Sequence, residues 1–471
     1  MPDARFRGRW RLRGGAAGRA TTTMADQCVA SASNFVVGIV VARLSGPAGL
    51  GAFALAYSIW VLLTMLHRSL ITVPMGIMGD QRGDRRDECV RQGFAADVTL
   101  SLTAAGIIAA VGWGLLLLGQ HTFGVGLLSL APWVLALDLQ DYWRQIGFLQ
   151  GNPRKSLVND ILFNTVQVGT FGGVFVLGMH SVFAVISAWG VAAAVGALYG
   201  LRQFSIRPTL RGGRAFLRSR WSMSRWLASE RTASWSASQL YLIVAGALLG
   251  PAALGGLKAA QSLVLGPATL VINAGGSFGL PEASRQLEER GWPGMARVAR
   301  FVTGAGVAAS AACGVVVLLA APLLLRLLYG PGFVVYAPSA RIFGVSIVVA
   351  AFAVGPILTL TTTRRVRALF VLQLARLAFS VGAVFALTKI YGVTGAATAD
   401  LLTGALSLGA VLALQSSVRR SVEGGHHRSG APFLQGVRRQ VVRNTELLVA
   451  LPPTGDRAAW HRPSVSSEHP S

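Results

Sequence analysis

VVARLSGPAGLGAFALAYS, residues Val40 to Ser58, decides the fold of this chain, because it recurs as VAGALLGPAALGGLKAAQS at Val244 to Ser262. Both copies have the pattern of an apolar helix, a short Gly/Pro turn and the start of a second apolar helix. A Gly-Pro-Ala-x-Leu-Gly sequence at both turns predicts two similar halves; the alternative is coincidence between two Ala/Gly-rich helices. The first-copy residues that recur identically in the second are Leu44, Gly46, Pro47, Ala48, Leu50, Gly51, Ala56 and Ser58.

The composition is that of a membrane protein rather than a soluble one. Of the 471 residues, 52% are hydrophobic and only 13% are charged, and the mean hydropathy is +0.53. Soluble chains have about 25% charged residues. The apolar runs are about 20 residues long, which matches the ~30 Å hydrocarbon core of a bilayer, and the ~10-residue alternating segments of a membrane β-barrel do not occur. We therefore predict an all-α polytopic membrane protein.

The apolar runs predict twelve membrane spans in two six-helix bundles, one on each side of a basic segment. The predicted bounds of the spans are 24–44, 49–72, 93–119, 123–148, 156–178, 181–201, 227–249, 254–280, 298–321, 340–362, 367–388 and 393–415. The predicted domains are a basic cytoplasmic N-tail (1–21), an N-terminal lobe (22–201), a basic cytoplasmic linker (202–226), a C-terminal lobe (227–416) and a largely disordered cytoplasmic tail (417–471).

Positive charge alternates with the spans. The connections 79–92, 149–155, 202–226 and 363–366 are basic, whereas those on the other side are mostly short and nearly uncharged. By the positive-inside rule, the basic connections and both termini are cytoplasmic. This topology accounts for the net charge of +24, so we expect anionic lipid headgroups as partners and no nucleic acid.

Acidic residues inside the apolar spans are costly and need a reason. The two copies of the repeat are 204 positions apart, and at the same spacing Asp26 aligns with Glu230. The two acids either cap helix starts or form a proton or ion site between the halves. Asp138, Asp141 and Arg144 lie on one face of span 4, where Asp141 can pair with Arg144 and the three either pack inward or, as we favour, line an aqueous cavity. The polar line Asn159, Asp160, Asn164 and Gln167 in span 5 predicts a hydrogen-bonded seam between helices.

Cationic residues inside the spans are candidates for binding an anionic ligand, since arginine and lysine engage phosphate through charge-assisted hydrogen bonds. Lys258 stands where the first copy of the repeat has Ala54, so the second half adds a charge. Arg376 either joins this group or pairs with Asp400 of the next span. The cationic candidates are Arg68, Arg144, Arg231, Lys258 and Arg376, and the candidates for ion coupling are Asp26, Glu230, Asp138, Asp141 and Asp400.

The sequence lacks the motifs of the common catalytic sites. It has no phosphate-binding loop of the G-x-x-x-x-G-K-[ST] type and no H-E-x-x-H. The G-x-S-x-G at 275–279 lies in an apolar helical run, whereas a nucleophilic serine needs a strand-to-helix turn. The three cysteines have no metal-ligand spacing. We therefore expect neither an enzyme nor a bound cofactor or metal.

Three stretches resemble one transporter family. ADQCVASASNFVVGIVVARLSGPAGLGAFALAYS (25–58) resembles its first hairpin, LQDYWRQIGFLQGNPRKSLVNDILFNTVQ (139–167) its span 4–5 hairpin, and LLLRLLYGPGFVVYAPSARIFGVSIVVAAF (323–352) the segment joining spans 9 and 10. The family is the polysaccharide exporter and O-antigen flippase-like branch of the multidrug/oligosaccharidyl-lipid/polysaccharide (MOP) superfamily. The resemblance covers about residues 22–416.

This resemblance implies a V-shaped transporter in the bacterial cytoplasmic membrane, with a cationic cavity between two six-helix bundles. The implied substrate is a polyprenyl-diphosphate-linked oligosaccharide moved from the inner to the outer leaflet, with glycosyltransferases or a glycan polymerase as partners. Arg68, Arg144, Arg231 and Lys258 are the candidate matches to the cavity cations. A multidrug or cation antiporter of the same superfamily and a membrane-embedded enzyme of glycan assembly are the alternatives.

Overall fold

The computed structural model describes residues 7–77, 84–204, 209–363 and 365–426, and this part of the chain is almost entirely helical. It forms twelve helices, and each predicted span falls on one of them. Their bounds are α1 (7–45), α2 (47–77), α3 (Asp84–Leu117), α4 (121–149), α5 (Pro153–Val176), α6 (Val182–Phe204), α7 (Gly213–Leu249), α8 (251–290), α9 (292–328), α10 (Ala337–Thr362), α11 (366–391) and α12 (393–426). The predicted all-α fold is confirmed.

Both repeated turns depend on a glycine with a positive φ angle. Gly46 separates α1 from α2 at φ 63° and ψ −170°, and Gly250 separates α7 from α8 at φ 90° and ψ 175°. Glycine adopts this conformation without the steric penalty that a Cβ atom brings. Pro47 and Pro251 then begin the next helix, where the missing amide hydrogen costs nothing. The repeated Gly-Pro is therefore a helix–turn–helix signal in both halves.

The two repeated hairpins pack directly against each other. A Cβ atom built on Gly51 would overlap the carbonyl oxygen of Pro251, and one built on Gly255 would overlap the carbonyl oxygen of Pro47. The last glycine of each Gly-Pro-Ala-x-Leu-Gly thus allows the other copy's backbone to approach, in a reciprocal, twofold-like arrangement. We call this approach of Gly51 to Pro251 and of Gly255 to Pro47 the glycine contact. The end of the helices at which it lies is called the hairpin end.

Arg43 adds a polar connection between the two halves at the hairpin end. From α1, its Nε donates a 2.8 Å hydrogen bond to the carbonyl oxygen of Leu328, and its Nη2 donates to those of Arg326 and Leu327. These carbonyls close α9 and have no partners within that helix. A cation at a helix C-terminus is favoured by the helix dipole, so Arg43 stabilises the packing of α1 against α9.

Within the described residues, eight helical stretches are long and apolar enough to cross a membrane by length and composition. Three of them contain a helix break, at Gly46, Gly291 or Gly392, and so cover parts of two helices. The helices of this chain are those of a multi-pass membrane protein.

The chain divides into two compact units, Met1–Gln415 and Ser416–Ser471. The first contains both copies of the repeat. In the second, residues 416–426 are described and are helical. Part of the predicted linker 202–226 is also helical, because α7 begins at Gly213, and its Phe216 is buried. The division into two six-helix lobes stays a prediction.

Candidate functional site

A polar network crosses α2, α4 and α5 at the end of these helices opposite the hairpin end. Arg68 donates two hydrogen bonds to Asp141, from Nε to Oδ2 at 2.8 Å and from Nη2 to Oδ1 at 2.5 Å. Arg144 Nε lies 2.7 Å from Asp160 Oδ2, and its Nη1 lies 4.0 Å from Asp141 Oδ1. The paired geometry at Asp141 is the strong, directional form of an arginine–carboxylate contact.

The position of Arg68 depends on an irregular turn in α2. Residues Arg68–Thr72 form a π-helical turn, in which the amide of Val73 donates to the carbonyl oxygen of Arg68. Pro74 follows and has no amide hydrogen to donate to the carbonyl four residues earlier, which disturbs the regular α-helical pattern. Such turns are frequent at functional sites, because they change the direction in which side chains point.

The predicted seam on α5 connects it to α4 and α6. Gln140 Nε2 donates to Asp160 Oδ1 at 3.0 Å and to Asn159 Oδ1 at 3.2 Å. Asn159 Nδ2 donates to the carbonyl oxygen of Gly196 at 2.9 Å. These side chains are buried and join three helices, so they serve packing.

A second buried group joins α2, α3 and α4, and we call it the histidine–aspartate group. His67 Nδ1 lies 3.2 Å from Asp97 Oδ1 and 3.3 Å from Asp138 Oδ2. Ser101 Oγ donates a 2.9 Å hydrogen bond to Asp138 Oδ2. His67 is 7% exposed, and both aspartates are 2% exposed. Of these residues the sequence predicts only Asp138 as a candidate; the signal that identifies His67 and Asp97 is a titratable residue within an apolar span.

The acid and the cation predicted in span 7 are not part of these groups. Glu230 and Arg231 are exposed, and Arg231 Nε lies 3.3 Å from Glu230 Oε2. The side chain of Asp26 is outside the described residues, so its predicted alignment with Glu230 stays a prediction.

In the C-terminal half, Lys258 lies among uncharged polar groups. Its Nζ is 3.5 Å from Gln261 Oε1, and Gln261 Nε2 donates a 2.5 Å hydrogen bond to the hydroxyl of Tyr241. Across the described residues, Lys258 forms no ion pair within 4.0 Å. Lys258 is therefore a partly buried cation without an acidic partner.

Lys258 also lies close to the glycine contact. It is three residues after Gly255 on α8, so the two positions are neighbours on the helix surface. Gly255 faces Pro47 of the other half. The matching residue of the first copy, Ala54, is 3% exposed and carries no polar group. The charge is thus present in only one of two equivalent positions beside the contact between the halves.

Arg376 and Asp400 interact electrostatically, and both lie near Tyr241. In the described region they do not approach within 4.0 Å, and Arg376 Nε is buried without a hydrogen-bond partner. Arg376 is therefore a second cation of the C-terminal half that no carboxylate contacts directly.

A metal site has no candidate among the residues that the structure describes, since no three His, Cys, Asp or Glu side chains are grouped to hold an ion.

The same fold occurs in transporters of the MOP superfamily. An inward-facing multidrug resistance MATE transporter matches with a TM-score of 0.66 and 14% identity, over 83% of this chain and 95% of its own. The lipid II flippase MurJ in an inward closed conformation matches at 0.65 and 12% identity, over 85% of this chain and 87% of its own.

A third similar structure is a MOP superfamily transporter from Pyrococcus furiosus, described as having a binding pocket of reversed polarity. It matches with a TM-score of 0.57 and 13% identity, over 87% of this chain and 96% of its own. No protein-family model and no curated protein sequence matches this chain. At these identities the similarities establish the fold of the chain and not its substrate.

Proposed function

We propose that this chain is a transporter that moves a polyprenyl-diphosphate-linked oligosaccharide from the inner to the outer leaflet of the bacterial cytoplasmic membrane. The observation that carries the proposal is Lys258, a cation beside the contact between the halves with no carboxylate within 4.0 Å among the described residues. The MOP fold, shared with a lipid II flippase, is compatible with a substrate of this class.

The structure distinguishes among the candidate cations by their partners. Arg68 and Arg144 each contact a buried carboxylate, and Arg231 contacts Glu230. A diphosphate would have to compete with these acids for the guanidinium groups. Lys258 and Arg376 have no such contact, so we assign the diphosphate to Lys258 with Arg376 as a further cation of the same half.

The glycine contact supports transport by alternating access. The positive-inside pattern places the hairpin end on the outer side of the membrane and both termini in the cytoplasm. A diphosphate would reach Lys258 from the cytoplasmic leaflet while the repeated hairpins are in contact. Separation of the hairpins would then open the site outward, as rocking of repeats does in secondary transporters.

The competing function is that of a multidrug or cation antiporter. The similarity of fold to a multidrug transporter supports this function as much as the similarity to a lipid II flippase supports our proposal. A site for organic cations needs an acid that faces the cavity. Of the described acids on α3 to α5, Asp97, Asp138, Asp141 and Asp160 are buried and in contact with histidine or arginine. In the C-terminal half, Asp400 is an acid without a cation within 4.0 Å among the described residues, but Lys258 and Arg376 outnumber it, so we favour the anionic substrate. Glycosyltransferases or a glycan polymerase are the partners that this substrate requires.

Replacing Lys258 with alanine, the residue of the other repeat, is expected to lower the initial rate of glycan-lipid translocation by about 10- to 100-fold. One hydrogen bond to a charged group contributes about 1.5–3 kcal/mol. Lys258→Arg should keep much of the activity because the charge remains. The measurement is translocation of a fluorescent polyprenyl-diphosphate sugar in proteoliposomes.

The matched control is Lys389→Ala, because Lys389 is exposed and lies over the Phe385 ring, 4.4 Å from its centroid. Equal rates for the Lys258→Ala and Lys389→Ala proteins, at equal amounts of folded protein, would remove Lys258 from the substrate site.

A further inference from the structure

We propose that the histidine–aspartate group, His67, Asp97 and Asp138, is a proton-binding site that drives the conformational change of the transporter. This inference rests on the proposed transport function for its role, while the site itself rests on geometry. It assigns the ion coupling to α2, α3 and α4, at the end of the helices opposite the glycine contact and apart from Lys258.

The group has fewer hydrogen-bond donors than acceptors. The single ring nitrogen His67 Nδ1 faces two carboxylate oxygens, Asp97 Oδ1 at 3.2 Å and Asp138 Oδ2 at 3.3 Å. His67 Nδ1 has hydrogen-bond geometry with neither oxygen, and Asp97 Oδ2 and Asp138 Oδ1 are also buried without a hydrogen-bond partner. A buried acceptor without a donor is costly, and a proton on one carboxyl group would convert an acceptor into a donor.

The net charge of the group depends on how many protons it binds. With a neutral imidazole the group carries two negative charges, with imidazolium it carries one, and with a second proton it is neutral. Uncompensated charge at side chains that are 0–9% exposed is strongly unfavourable. The group can reach neutrality by binding protons.

The neighbouring charges do not neutralise the group. Asp141, the next acid on α4, is occupied by Arg68, and Arg144 lies between Asp141 and Asp160. The other titratable groups nearby come from α3, α4 and α7 and contact one another or the backbone. They are Tyr142, whose hydroxyl donates to the carbonyl oxygen of Val90 at 2.6 Å, and Cys89, whose Sγ lies 3.5 Å from Arg220 Nη2.

The site is placed where protonation can change the course of α2. His67 immediately precedes the π-helical turn Arg68–Thr72, and α2 runs from there back to Gly51 of the glycine contact. Release of a proton would restore charge repulsion between Asp97 on α3 and Asp138 on α4. We infer that this repulsion alters the packing of α2 and so shifts the equilibrium at the hairpin end.

Infrared difference spectroscopy of the purified protein tests the site directly and needs no substrate. The wild-type protein, labelled with ¹³C-aspartate, should show an aspartic carboxyl C=O band that appears on acidification and is shielded from rapid hydrogen exchange. Asp97→Asn and Asp138→Asn should each remove or shift this band. Asp87→Asn is the matched control, because Asp87 is exposed at the start of α3 and should leave the band unchanged.

A wild-type protein with no shielded, titrating aspartate band overturns the proposal even if the asparagine variants fail to fold. So does a band that is unchanged in both variants. In proteoliposomes, a pH gradient should accelerate transport by the wild type and the Asp87→Asn protein but not by Asp138→Asn. If the infrared titration is intact and the glycan lipid is not moved, the proposed substrate is wrong and the proton site stands.

Discussion

Replacing Gly255 with leucine is expected to abolish transport by keeping the two repeated hairpins apart. A Cβ atom at this position would overlap the carbonyl oxygen of Pro47 and lie 2.7 Å from the amide nitrogen of Gly51. Backbone atoms cannot move away as a flexible side chain can, and overpacking of this kind costs about 1–3 kcal/mol. That energy changes a conformational equilibrium by roughly 5- to 100-fold.

The expected change is an increase in distance across the hairpin end, measured between spin labels at two positions on opposite halves. Gln120 lies in the α3–α4 turn, and Val335, which is 72% exposed, lies between α9 and α10. Gly51→Leu should give the same result, because the contact is reciprocal. Gly304→Leu is the control, since a Cβ atom there meets nothing within 4 Å. An unchanged distance distribution in the Gly255→Leu protein would show that the glycine contact does not hold the halves together.

Replacing Asp141 with leucine is expected to destabilise the protein by about 1.5–3 kcal/mol, the contribution of a charge-assisted hydrogen bond, because Asp141 is buried while the side chain of its partner Arg68 is 37% exposed. Asp141 accepts both hydrogen bonds from Arg68 and lies 4.0 Å from Arg144 Nη1. Its loss leaves the Arg68 guanidinium without its carboxylate. The measurement is thermal unfolding in detergent, monitored by intrinsic fluorescence.

A second substitution separates the charge effect from a general loss of packing. Arg68→Met combined with Asp141→Leu removes both partners and should recover much of the stability, as a coupled pair does in a double-mutant cycle. Asp87→Leu, at an exposed position, is expected to change the stability by less than about 0.5 kcal/mol. If Asp141→Leu were no more destabilising than Asp87→Leu, the ion pair would contribute nothing to the fold.

The local features of the fold could be predicted from the sequence because each depends on residues that are close together in the chain. The Gly-Pro turn after α1 and its copy after α7 depend on a glycine conformation and a proline at the next helix start. The predicted common face of Asp138, Asp141 and Arg144 follows from helical spacing. In the structure these three side chains lie in two adjoining polar groups, the histidine–aspartate group on α2, α3 and α4 and the polar network on α2, α4 and α5.

The partners of the polar residues could not be predicted, because they come from helices far apart in the sequence. Arg68 and Asp141 are 73 residues apart, and spacing within one helix carries no information about which helix packs against it. For the same reason His67 and Asp97 escaped the sequence analysis, although each is a titratable residue in an apolar run. Arg68 and Arg144, two of the candidates for binding the substrate, contact acids in the structure, whereas Lys258, identified by its difference from Ala54, has no acidic contact among the described side chains.

The most direct test of the proposed function is a comparison of two substrates in the same proteoliposomes. The purified wild-type chain is reconstituted with a fluorescent polyprenyl-diphosphate sugar in one preparation and a fluorescent organic cation in the other. We expect the chain to translocate the glycan lipid and the Lys258→Ala protein to lose most of that activity. The organic cation should cross the membrane no faster than it does in vesicles without protein. Translocation of the cation without movement of the glycan lipid would contradict the proposal and identify a cation transporter.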